Sequence, residues 1–118
     1  MDMNHPVRLQ LSRRKGFKLQ AASRAVNGLD AVKVDRSTMW GNPWKPGTWS
    51  NTLGRHVESV EEAVDLYRRN AWVEPHMVAW VQENLRGKNL ACWCALEAKH
   101  CHADVLLKLA NIDPAEPA

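Results

Sequence analysis

Apolar and polar residues alternate through Val7-Arg8-Leu9-Gln10-Leu11 and again through Ala31-Val32-Lys33-Val34-Asp35. A period of two over a run of that length predicts a strand in each place. The stretch between them, Arg13 to Gly28, is polar and interrupted by Gly16 and Gly28, which predicts a long loop with a short helical piece. Arg36 to Gly47 contains two Gly and two Pro and must be irregular. It also carries Trp40 and Trp44, and large aromatic faces favour a structured loop over a flexible one.

The period then lengthens. Ser59 followed by Glu62 forms a capping-box pattern that opens a helix, with Val60, Ala63, Val64, Tyr67 and Ala71 along one face. Pro75 suits the first turn of a second helix that turns Met77, Trp80, Val81 and Leu85 inward, and Gly87 supplies its stop. The run Asn89-Leu90-Ala91-Cys92-Trp93-Cys94 reads as a buried third strand. After a short loop, Cys101-His102-Ala103-Asp104 leads into a third helix with Val105, Leu106, Leu109 and Ala110 apolar.

Strand, strand, two helices, strand, helix is the pattern of an α/β fold. We expect a small single domain over residues 1–112, with a short, mostly parallel, Rossmann-like sheet flanked by about three helices. Residues 113–118, Asp-Pro-Ala-Glu-Pro-Ala, are expected to be a disordered C-terminal tail. In such a sheet the ligand crevice lies outside the strand C-terminal ends, here Arg13, Arg36 to Thr38, and Cys92 to Cys94.

Composition narrows the functional classes. With 118 residues, 45% hydrophobic and 25% charged, the chain has ordinary globular proportions. No apolar run is long enough to span a membrane, so no membrane partner is expected. The N-terminus lacks a basic-then-apolar leader, and the three cysteines are clustered rather than spread as a disulfide framework. A cytoplasmic location is the expectation. The net charge of +3 conceals an asymmetry: eight Lys/Arg against three Asp up to Arg36, then eight basic against ten acidic residues. The basic end includes Arg13-Arg14-Lys15, a patch able to meet phosphates of a nucleotide or nucleic acid or simply to face solvent.

Specific stretches carry a resemblance. They are Arg8 to Gly16, Val34-Asp35-Arg36-Ser37-Thr38, Trp40-Gly41-Asn42-Pro43-Trp44 and Glu62 to Tyr67. Leu85 to Cys94 and Cys101 to Leu107 complete the set. Together they resemble the domain-of-unknown-function family 4326, common in phages and bacteria, over roughly Val7 to Asn111. The resemblance brings no established reaction, so function is argued from the residues.

Three chemistries compete at the joint between the third strand and third helix. Cys92, Cys94, Cys101 and His102 form a Cys3His set able to hold zinc, with His100 as a substitute for His102. The Cys-x-Cys spacing is tighter than usual, but Cys92 and Cys94 share a face of the strand. Anion binding is the leading reading. The helix N-terminus at Cys101-His102, together with Arg13, Arg36, Ser37 and Thr38, suits a phosphate. Asn42, Trp40, Trp44, Trp93 and Cys94 would then contact the rest of a nucleotide-like ligand. Nucleophilic catalysis is the third, with Cys101 as thiolate, His102 as its neighbour and Asp104 as orienting acid. Against these stands packing: Cys92 is a plausible core residue, Trp72 and Trp80 sit at helical core positions, and His5, His56 and His76 read as surface residues. A non-catalytic module that binds zinc or nucleic acid is the alternative to the nucleotide reading.

Overall fold

A computed structural model describes residues 5–112. The expected tail, residues 113–118, lies outside the described residues. The elements run β1 (Arg8–Gln10), α1 (Leu19–Asn27), β2 (Ala31–Lys33), β3 (Trp49–Ser50), β4 (Arg55–His56), α2 (Val60–Asn70), α3 (Pro75–Leu85), β5 (Asn89–Cys92) and α4 (His102–Asn111). The fold is α/β. A three-stranded sheet has the order β1-β5-β2 with both pairings parallel, and β3 and β4 form a separate antiparallel hairpin.

The last strand is therefore the middle one. Leu90 sits level with Arg8 on one side and Val32 on the other, and all four residues of β5 are buried. A strand covered on both faces and both edges needs an unbroken apolar run, which Leu90, Ala91 and Cys92 supply. Asn89 is the exception, and its buried amide is fully used. Its oxygen accepts from Val7 N–H and Asn27, while its nitrogen donates to Ser23 and Asn27 at 2.8 Å each. Helix α4 packs across β5 and β1 and meets α2 and α3 on its other flank. Val34, Tyr67, Val81, Leu85, Leu90, Leu106 and Ala110 are the centre of the core.

Helix α1 takes up nine residues of the segment expected to be a long loop with a short helical piece, and it makes four helices among the described residues where about three were expected. Its sequence hides it, because the docking stripe is polar. Gln20, Ser23 and Asn27 follow helical spacing and each hydrogen-bonds inward. Gln20 both donates to the Ala31 carbonyl and accepts from the Ala31 N–H at 2.8 Å, so its amide pairs with the free edge of β2 as another strand would. Gly28 ends the helix at φ 80°, with its N–H returning to the Arg24 carbonyl. The β3–β4 hairpin was also not foreseen, since two residues per strand are too few to show alternation.

The cap of α2 forms as the sequence implies, with Ser59 Oγ accepting from the Glu62 N–H at 3.1 Å. Glu62 reaches back one residue further than a capping box requires, to the Glu58 N–H, and also takes a two-pronged bond from Arg55 of the hairpin. The Arg55 bond, then the Glu58 N–H, hold the Glu62 carboxyl down at about 2. A depressed acid contributes stability above its unfolded value near 4.5 and loses it as pH falls toward 2. Thermal melts across that window are expected to show a steeper acid loss for the parent chain than for Glu62→Gln. Parallel curves would remove Glu62 as a contributor to acid unfolding.

Candidate functional site

Three loops leave the sheet at its C-terminal edge, after β1, β2 and β5. Strands β1 and β2 each carry one further ladder bond to β5 past their ends, Leu11 N–H to Cys92 carbonyl and Val34 N–H to Ala91 carbonyl, so the loops start in register. The loops then meet as expected. Arg13 of the first lies over the Trp93 ring of the third at 4.3 Å, and Trp93 Nε1 donates to Asp35 of the second at 2.9 Å. Between the second and third loops and α2 is a cavity of about 250 Å³ whose lining includes Asp35, Arg36, Ser37, Trp93, His100 and all three cysteines, whereas Arg13, expected in the ligand set, does not line it.

Asp35 is the residue that sequence reasoning missed. It is 7% exposed, yet ionised in character: burial opposes the charge, but bonds from Ser37 (2.6 Å) and Trp93 outweigh it and hold the carboxyl below its ordinary value. The signal was available in its place at the end of β2, where α/β folds keep ligand-facing acids. Arg36 next to it is fixed from behind, donating Nε to the Asn42 carbonyl at 3.0 Å and Nη2 to the Trp44 carbonyl at 3.3 Å. The loop can fold back this far only because residue 41 is glycine. A Cβ there would lie 2.5 Å from Arg36 Cα and 2.7 Å from the Asp35 carbonyl oxygen.

Other members of the expected ligand set serve the loop itself. Asn42 is buried and lines the cavity, but its nitrogen donates to the Ala63 carbonyl and its oxygen accepts from the Trp44 N–H. Thr38 Oγ1 donates to the Asp35 carbonyl, closing a turn. Trp40 is a correction to the stacking role. It is 6% exposed, with its ring packed on Trp72 at 5.4 Å and Trp80 at 5.3 Å, and its carbonyl accepts from Tyr67. Its ring is buried among other aromatics and is not free to stack on a ligand.

The third loop is held by Arg8, another residue the sequence did not single out. Its guanidinium donates to the carbonyls of Ala95, Leu96 and Ala98 and to Asp104 Oδ1 at 3.0–3.2 Å. That clamp brings Cys101 back to Cys92. The sulfurs of Cys92, Cys94 and Cys101 all lie within 4.8 Å of one another, and those of Cys92 and Cys101 are 3.2 Å apart. The contact with the Cys101 sulfur lowers the Cys92 thiol to about 6 against the effect of burial, with the Cys94 N–H helping. Cys101 is pushed up by the same contact and by burial.

His102 does not join the sulfurs. Its Nε2 lies 2.5 Å from the Val34 carbonyl, which can only accept, so the proton sits on Nε2 and staples α4 to the end of β2. The ring also packs edge-on against Tyr67. Asp104 faces Arg8, not His102, so Cys101, His102 and Asp104 are not assembled as a nucleophile, base and orienting acid. A raised Cys101 thiol is a further argument against it as the nucleophile. The Cys3His set is reduced, on this geometry, to three sulfurs.

The sequence model of one family, a domain of unknown function designated DUF4326, matches residues 17–112. The chain belongs to that family. The DUF4326 match spans the second and third loops and every cysteine, while β1, with Arg8 and Arg13, precedes it. Neither a curated protein nor a solved structure matches the chain. Among the described residues no helix is long and apolar enough to cross a membrane.

A second, larger hollow of about 890 Å³ lies between α2, α3 and α4, walled mainly by apolar side chains such as Val78, Val105 and Leu109. It shares His100 and Cys101 with the smaller cavity, but only the smaller one gathers Asp35, the fixed arginine and all three thiols in one place.

Replacing Arg8 by Met is expected to destabilise the domain by about 2–3 kcal/mol, since charge-assisted bonds are lost while the freed carbonyls regain water. The same variant should expose the thiols, which a thiol-reactive dye would report as faster labelling under native conditions. Unchanged labelling would show that the loop is held by something else.

Proposed function

We propose that this domain binds a nucleotide-like or phosphorylated small ligand in the cavity at the C-terminal edge of the sheet. The observation that carries the reading is the pairing of Asp35 and Arg36 on one wall. A buried carboxylate with unused lone pairs accepts from hydroxyl or amino groups, and a guanidinium braced by two carbonyls keeps its remaining N–H groups for an anion. A ligand with donors at one end and a phosphate at the other satisfies both. The cavity is at the small end for ligand pockets, which fits a mononucleotide or sugar phosphate better than a dinucleotide. Trp93, 41% exposed at the mouth, offers the flat surface that the buried Trp40 does not.

Calorimetric titration with adenosine monophosphate, adenosine and inorganic phosphate tests the reading. The monophosphate is expected to bind best. Arg36→Lys, which keeps the charge and loses the fork, should weaken it about tenfold, on the order of 1.4 kcal/mol, with a melting temperature only slightly lowered by the lost carbonyl bond. Equal, negligible heats for all three compounds, and for the guanosine and pyrimidine counterparts, would end it.

A second reading rests on Arg13 over Trp93. Arg13, Arg14 and Lys15 are exposed beside the cavity mouth, so a nucleotide entering it could belong to a strand whose phosphates lie on this loop. Affinity for a short single-stranded oligonucleotide should then fall as salt rises, and Arg14→Ala should flatten the dependence by about one phosphate contact. Salt-independent binding would exclude the basic loop.

A further inference from the structure

The floor of the cavity is sulfur, and its geometry is that of a coordination site. A tetrahedral zinc ion with Zn–S bonds of about 2.3 Å sets its sulfur ligands about 3.8 Å apart. Cys92, Cys94 and Cys101 hold theirs within 4.8 Å of one another, with those of Cys92 and Cys101 3.2 Å apart, so small side-chain adjustments reach that spacing. We propose that these three thiols bind one zinc ion, whose fourth coordination position opens into the cavity.

Local structure supports each ligand in turn. Cys92 ends β5, and the chain bends at Trp93 and Cys94, with the Cys94 sulfur held within 4.8 Å of the other two. Cys101 is the N-cap of α4, whose positive end offsets the charge of coordinated thiolates. Arg8 fixes the intervening loop through three carbonyls, so the ligands are preorganised on both sides of it. All three cysteines line the cavity, and the half-buried Cys94 gives the ion a way in.

The fourth position is what separates this site from a closed Cys3His centre. His102 is engaged with the Val34 carbonyl and its ring nitrogens lie outside the sulfur cluster. His100 lines the same cavity but points its Nε2 toward Glu61, 3.8 Å away, on the exposed side. Three protein ligands and one exchangeable position is the arrangement of zinc sites that bind or activate a small molecule, whereas structural sites are closed by four. The site stands whether or not the cavity accepts a nucleotide.

The test is zinc content of the full chain, purified under reducing conditions, by elemental analysis and native mass spectrometry. About one zinc per chain is expected, removable with a strong chelator and restored on adding zinc. Cys94→Ser should lower zinc affinity at least about a hundredfold, while His102→Gln should keep full stoichiometry. Cobalt substitution should give thiolate charge-transfer bands and tetrahedral d–d bands that shift when imidazole is added, the sign of an exchangeable fourth ligand. If a cysteine variant fails to fold, alkylation of the parent chain decides instead: zinc should protect all three cysteines, and chelator should release them together. No zinc uptake by the reduced chain would overturn the proposal. Loss of zinc in His102→Gln with its melt unchanged, or cobalt bands indifferent to imidazole, would overturn the open position.

Discussion

One guanidinium sets the geometry of the C-terminal edge. Arg8 lies in the first strand, and the groups it binds are 87 to 96 residues away, in the loop after the central strand and in the first turn of α4. Fixing a residue's backbone costs about 1–2 kcal/mol, and a hydrogen bond to a charged partner contributes about 1.5–3. Four such bonds offset part of the cost of ordering the loop, the net effect staying at about 2–3 kcal/mol because the carbonyls would otherwise bond to water. Without them the chain between Cys94 and Cys101 has little to pack on, because Leu96, Glu97 and Lys99 are exposed. The proximity of the three sulfurs follows from an arginine that touches the loop's backbone and the helix's first acid at once.

The second loop solves the same problem by other means. A polar segment with four breakers must satisfy its own backbone groups, and Asn42, Thr38 and Arg36 are recruited for that purpose. This is why residue type misled the sequence reading. Asn42 and Thr38 are good ligand contacts in the abstract, but a loop that curls back on its own strand end uses their donors and acceptors internally. Arg36 is different in kind, since a guanidinium has more donors than the two carbonyls consume.

What the sequence made legible is what apolar burial drives. The three sheet strands and helices α2, α3 and α4 were readable because their core faces are apolar at the right period, and Ser59 and Pro75 mark two of the helix starts. Helix α1 was legible only as a short helical piece, because Gln20, Ser23 and Asn27 dock it through hydrogen bonds, which leave no hydrophobic stripe. The cysteine cluster was visible in one dimension, as three thiols within ten positions. The exclusion of His102 from it was not, for its partner is a backbone carbonyl 68 residues away. Arg8 and Asp35 belong to the same class: ordinary strand residues until distant segments arrive.

The placement of β5 between β1 and β2 also orders events in time. Arg8 and Ala31 have no strand to pair with until Asn89 to Cys92 have been made, so a chain emerging from the ribosome carries two orphan strands for most of its synthesis. Their brevity, three residues each, keeps the exposed backbone too short to recruit a neighbouring nascent chain. Gln20 covers one edge of β2 early, since it is only eleven residues from Ala31. The side-chain amide that disguised α1 in the sequence is, on this view, a chaperone written into the chain: it holds β2 ready for a partner that arrives last.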